Sequence, residues 1–177
     1  SCPVPQLEVS VGWNIETIFP YKNHLFIGSQ TGVFIYDASQ EERPVFKSNF
    51  SHATGCDPVV CDDDLAFVTI HGGTTCRGNI NQLDILDVKN LSSPILLQSY
   101  PMKSPNGLAL TETHIYLCDD GLKILDRKDP ANLKMVAHFQ DLKVTDAITL
   151  GDKILLLIGE EGFYQFDITD PANPKEL

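Results

Sequence analysis

Four side chains able to hold a cation or a polyhydroxyl compound recur at one point of a repeated pattern: Glu16, Asp57, Asn106 and Asp146. Each opens a short β-rich run. A fold that sets these runs around one axis therefore puts all four at one level. Carboxylates converging on an axis can coordinate a hard cation such as Ca²⁺ or accept hydrogen bonds from sugar hydroxyls. Each could instead cap its own strand or bond a neighbouring backbone, and crowded like charges would raise their own pKa. On the cation reading, Glu16, Asp57 and Asp146 could also serve a metal-dependent hydrolysis of the lactonase kind.

The cysteines form a second group. Cys56 precedes one of the runs and Cys76 lies in an insertion of the same unit. A disulfide between them would close a loop of about 20 residues and contribute roughly 3 kcal/mol in the chain-entropy picture. The alternative is a Zn²⁺ site from His52-x3-Cys56 and His71-x4-Cys76, whose ligand types suit the metal although the spacing is not a standard one. Cys61 and Cys118 fall inside apolar runs and read as buried free thiols. Cys2 has no assignment.

The insertion, residues 71–81 (HGGTTCRGNIN), is the one departure from the repeat. Loops on a rigid scaffold are where binding concentrates, so His71, Thr74, Thr75 and Arg77 form a candidate partner surface. The alternative is a decorative loop tied down by the disulfide. Trp13 could stack on a sugar ring or fill the space between repeat units. Asp62, Asp63 and Asp64 read as a solvated turn. No nucleophile elbow, H-E-x-x-H helix, P-loop or dinucleotide fingerprint occurs.

The elements that position these residues follow from the repeat. Four runs end in Asp37, Asp87, Asp126 and Asp167, and seven residues after each stands Pro44, Pro94, Leu133 or Pro174. Asp at a turn start accepts bonds from backbone N–H groups two residues on, and Pro presets the chain entering the next strand. The underlying period is about 40 residues, with four short Val-, Ile-, Leu- and aromatic-rich runs in each unit. In the third unit they are 106–110, 114–118, 121–126 and 133–139. This is the pattern of a β-propeller blade. The expected fold is all-β, a propeller with four four-stranded blades over one domain, 1–177. The units are 14–50, 57–100, 106–139 and 146–177, with 3–13 a displaced fourth strand.

Composition sets outer limits. A net charge of −11 and only three Arg (Arg43, Arg77, Arg127) argue against nucleic acid or an anionic membrane as partner. No apolar run approaches the roughly 20 residues of a transmembrane helix. Five Cys point to an oxidising compartment.

The runs GLKILD and GFYQFD followed by ITDPANP closely resemble the bacterial LVIVD-repeat proteins. With GWNIETIFPYKNHLFIGSQTGVFIYD, HATGCDPVV and NQLDILDV, the chain looks like the C-terminal half of such proteins from the Bacteroidetes group. The resemblance implies a β-propeller in a longer exported chain of the cell envelope, carried with a lipoprotein signal, and more repeats upstream. Ser1-Cys2 resembles the tail of a lipobox, or merely a boundary, and lipid anchoring would run through an upstream part. Segment 3–13 either completes the last blade and closes a four-bladed ring or belongs to a larger ring. The expected function is a non-enzymatic binding or scaffold module that recognises a protein or a glycan through propeller-face loops.

Overall fold

The computed structural model describes residues 14–40, 42–52, 55, 58–73 and 78–177. Among the described residues sixteen strands fall into four antiparallel sheets of four, each in plain chain order. The first blade holds β1 (Ile15–Tyr21), β2 (His24–Ser29), β3 (Gly32–Asp37) and β4 (Val45–Ser51). The second holds β5 (Val59–Asp62), β6 (Leu65–Ile70), β7 (Gln82–Asp87) and β8 (Ile95–Pro101). The third holds β9 (Leu108–Leu110), β10 (His114–Cys118), β11 (Leu122–Asp126) and β12 (Lys134–Phe139). The fourth holds β13 (Val144–Leu150), β14 (Ile154–Gly159), β15 (Gly162–Asp167) and β16 (Lys175–Glu176). The innermost strands β1, β5, β9 and β13 pack in succession, and this is a four-bladed β-propeller arrangement. No comparable packing joins β13 back to β1 among the described residues.

The turn chemistry expected at the anchors is present in every blade. The backbone N–H groups of Ser39, Lys89, Lys128 and Thr169 donate to Asp37, Asp87, Asp126 and Asp167 at 2.8–2.9 Å. The next backbone N–H in each blade closes on the loop between the first two strands. Ala38, Val88, Arg127 and Ile168 donate to the carbonyls of Asn23, Asp64, Thr113 and Lys153. In the first three blades the outer strand pairs through a bulge at one equivalent place, Ile35/Tyr36, Ile85/Leu86 and Ile124/Leu125. Such a bulge adds local twist, which suits an outer strand splaying from an axis. Two-residue hairpins at Lys22-Asn23 and Asp63-Asp64 run at φ of 46–60°, the left-handed region that Asn and Asp tolerate.

Alternation along the strands sends each blade's two faces to different neighbours. Phe26, Val33 and Ile35 pack with Val59, Ala66, Val68 and Leu86, joining blades one and two. Phe67, Leu83 and Ile85 pack with Ile115, Leu117 and Leu125, joining two and three. Tyr116, Leu122 and Ile124 pack with Val144, Leu155, Leu157 and Phe166, joining three and four. The hydrophobic core is thus three slabs between sheets rather than one centre, as expected where one sheet cannot cover both its faces. Polar ties cross the same seams. Tyr21 Oη accepts from the Asp64 backbone N–H at 2.8 Å, and Tyr100 Oη donates to the Pro130 carbonyl at 2.8 Å. Segment 3–13 lies outside the described residues.

Candidate functional site at the propeller axis

The innermost strands enclose an open cavity of about 1190 Å³. Its lining takes residues from all four blades, and Glu16, Asn106 and Asp146 are among them. Asp57, the remaining member of the predicted set, lies outside the described residues. The structure therefore brings three of the four axial positions to one cavity, each held in a different way.

Glu16 sits where the β1–β2 register shifts between Ile15 and Thr17, so the bulge frees it from the ladder. Gln30 donates to its Oε1 at 3.1 Å, and Gln30 in turn accepts from the Asn14 side chain at 3.2 Å. Asn106 lies just ahead of β9. Its amide donates to the Ser104 carbonyl at 3.0 Å, and its own carbonyl accepts from Thr69 Oγ1 at 2.8 Å. Asp146 follows a matching register shift in β13 and accepts from the Ala147 backbone N–H at 2.9 Å. Its carboxylate lies against the Cα of Gly107, where a Cβ would have no room, and the Gly107 N–H donates to the Thr145 carbonyl at 3.0 Å. The axial ends of blades three and four are joined by that contact. Local capping and a shared cavity wall coexist at these positions.

His71 brings the base of the insertion to the same cavity. Its Nδ1 donates to the Pro105 carbonyl at 3.1 Å and lies 3.4 Å from Ser104 Oγ. The stem of the insertion is pinned by Gly72 N–H to Asn81 Oδ1 at 2.9 Å and by Gly73 N–H to the Gly78 carbonyl at 3.1 Å. Thr74, Thr75, Cys76 and Arg77 lie outside the described residues, as do Cys56, Cys2 and Trp13. The disulfide and the zinc alternative built on Cys56 and Cys76 therefore fall outside them too. Among the described residues no three His, Cys, Asp or Glu side chains gather where a metal ion could sit.

Cys61 and Cys118 are buried free thiols. Burial raises both, Cys61 far above its ordinary value and Cys118 to about 12. Asp62 and Asp64 do more than decorate a solvated turn. Asp64 pairs with Lys22 of the first blade, and Asp62 pairs with Arg127 of the third.

Two buried acidic residues carried no sequence signal. Asp119, 1% exposed, accepts from the backbone N–H groups of Lys103 and Ser104 at 3.1 and 2.6 Å and from Lys123 Nζ at 2.5 Å. It thereby fixes the segment that delivers Asn106 to the axis. The Lys-x₃ spacing to an Asp looks like an ordinary surface pair until the hairpin brings both inward. Asp84, 2% exposed, accepts from Gln82 at 2.7 Å and Ser99 at 2.6 Å. Burial pushes its carboxyl upward, against the two hydrogen bonds and nearby His52, which pull it down.

The fold and the axial cavity define a β-propeller. Residues 68–101 match the LVIVD repeat, so the chain carries an LVIVD repeat in its second blade. No curated protein matches the sequence. Among solved structures, apo AztD from Citrobacter koseri is similar with a TM-score of 0.65 at 13% identity, over 94% of this chain and 48% of that one. The computationally designed Ika4 protein gives 0.62 at 13% identity, over 96% and 94%. The N-terminal domain of Nup159 gives 0.58 at 16% identity, over 93% and 42%. The chain thus spans about half the length of AztD, and these likenesses speak for the fold. No helix is long and apolar enough to cross a membrane among the described residues.

Proposed function

We propose that this chain is a binding module that receives a hydroxyl-rich ligand, a glycan, in its axial cavity, with the 71–81 insertion as the rim. The observation that carries this reading is that Glu16, Asn106, Asp146 and His71 share the wall of one cavity of about 1190 Å³. Carboxylates and a carboxamide held in place by Gln30, the Ala147 N–H and the Ser104 carbonyl are suited to contact with sugar hydroxyls, and apolar strand residues beside them suit the sugar faces. Such preorganisation keeps the ordering cost of binding low. The resemblance to exported LVIVD-repeat proteins and the five cysteines support a place in the bacterial cell envelope. A protein partner docked on the insertion is the other form of the same role.

The test is a glycan array followed by calorimetric titration of each hit. Asp146→Ala and Asn106→Ala are expected to weaken binding at least tenfold, and deletion of 74–77 to weaken it less. If both axial variants bind as the parent does while the deletion abolishes binding, the site moves to the insertion. The metal-dependent reading keeps Glu16 and Asp146 on the cavity wall, and titration in EDTA with and without added Ca²⁺ addresses it in the same experiment.

A further inference from the structure

The axial cavity has two tiers of carboxylates. Glu16 and Asp146 stand near the starts of the innermost strands β1 and β13, with Asn106 just ahead of β9. Asp62, Glu112 and Asp152 stand at or just past the ends of β5, β9 and β13, and they line the same cavity. Between Asp146 and the end of β13 at Leu150 the chain climbs four strand steps, about 13 Å, so one point charge cannot meet both tiers. The second tier is tied across blades three and four as the first is. The Glu112 N–H donates to Asp152 Oδ1 at 3.0 Å, the counterpart of the Gly107 N–H bond to the Thr145 carbonyl. Asp62 is paired with Arg127. Five carboxylates thus border one cavity, and among the described lining residues His71 is the one basic side chain. They are spread along the walls: among the described residues no three acidic, His or Cys side chains gather on one point.

We propose that the glycan received by this cavity carries free amino groups, as an oligomer of unsubstituted glucosamine does, and that the two acidic tiers select it over neutral N-acetylated and anionic counterparts, an inference that rests on the cavity being a glycan site. A cleft lined by one sign of charge between apolar walls focuses its field and concentrates ligands of the opposite sign. The walls between the tiers are Ile18, Val60, Leu110 and Ile148. A primary ammonium donates three hydrogen bonds and accepts none, which matches carboxylates that only accept. Carboxylates spread over two tiers suit positive centres spaced along a chain, whereas a single metal ion needs its oxygen ligands converged.

Calorimetric titration of the 177-residue chain with a glucosamine oligomer, its fully N-acetylated form, a galacturonic acid oligomer and spermine is the test. The free-amine oligomer is expected to bind about tenfold tighter than the acetylated one, with an affinity that falls as salt rises. Asp146→Asn and Asp152→Asn are each expected to weaken it several-fold. Glu42→Gln, the same loss of charge at an exposed residue outside the cavity lining, is expected to leave it unchanged. If the two glucosamine oligomers bind equally, or the acidic oligomer binds tighter, the charge selection is overturned and the glycan reading stands. If spermine binds as tightly as the free-amine oligomer, or no oligomer binds, both are overturned. A free-amine preference that survives in folded Asp146→Asn and Asp152→Asn variants is general attraction to a chain of net charge −11, and it overturns the proposal as well.

Discussion

Arg127, at the end of β11 in the third blade, is the cation that holds Asp62 of the second. Its Nε also donates to the Thr111 carbonyl at 2.8 Å, and its guanidinium lies 5.6 Å from the Phe67 ring centroid. The side chain is 5% exposed, whereas Asp62 is 47% exposed, so the pair is only half desolvated. Losing one partner of a fully buried pair costs about 3–5 kcal/mol, and this exposure cuts the figure. Arg127→Met is expected to cost about 1–3 kcal/mol in urea unfolding. Asp62→Asn, which strands the buried guanidinium, is expected to destabilise as well.

Asp84 sets a pH dependence of opposite sign to the usual carboxylate. Burial raises its folded-state pKa, so the stability it contributes is present below the ordinary Asp value of about 3.9 and is lost as pH rises through the raised value. Asp84→Asn keeps an oxygen acceptor for Gln82 and Ser99 without the buried charge. The variant is expected to be more stable than the parent at pH 7, with the gap shrinking toward pH 4. Urea midpoints at the two pH values decide it.

The anchor aspartates pull the other way. Backbone and hydroxyl donors hold Asp37 and Asp167 below the usual carboxylate range, and the Lys128 N–H does so for Asp126. Their contribution is present above the ordinary value and is lost as pH falls through the lowered one. The triple variant Asp37→Asn, Asp126→Asn, Asp167→Asn keeps the turn geometry and should flatten the acid limb of a stability–pH curve. An unchanged acid limb would assign it to other carboxylates.

Gly107 is the position at which a single methyl group should reach the axial site. The carboxylate of Asp146 occupies the place of a Cβ there. Gly107→Ala is expected to cost about 1–3 kcal/mol by overpacking and to weaken any ligand held by Asp146. Gly162→Ala, with open space around the residue but a φ of 135°, is the control that strains the backbone at a residue outside the cavity lining.

Thiol labelling reads the same seams from inside. Cys61 and Cys118 are buried with raised thiols, and both are expected to resist a thiol reagent until the protein is unfolded. Mass spectrometry after native alkylation measures this directly, and alkylation with and without reductant tests the proposed pairing of Cys56 with Cys76.

What the sequence revealed tracks how local the cause is. The anchor Asp bonds a backbone N–H two residues away, so its turn could be read from one unit, and 114–118 is β10 to the residue. Glu16, Asn106 and Asp146 share a cavity because they share a place in the period. Asp119 and Asp84 escaped because their roles depend on pairings made across hairpins, with Lys103, Ser104 and Ser99 as partners 15 or more positions away. β9 begins at Leu108 rather than 106 because the Gly107 N–H is taken by Thr145 of the next blade. The exposure of Phe163, 61%, was equally hidden, since in sequence it reads like the buried Leu83 and Leu122 at the same place in the period.

The three slabs of core bear on how the molecule comes apart. Each blade leans only on its neighbours, so the energy of one seam is not shared with the next. The bulges and Asx turns keep their places although an 11-residue excursion interrupts blade two, since length change in one module is not passed on. Opening of one seam therefore leaves the others standing, and amide exchange is expected to fall into groups that follow the seams rather than into one global rate.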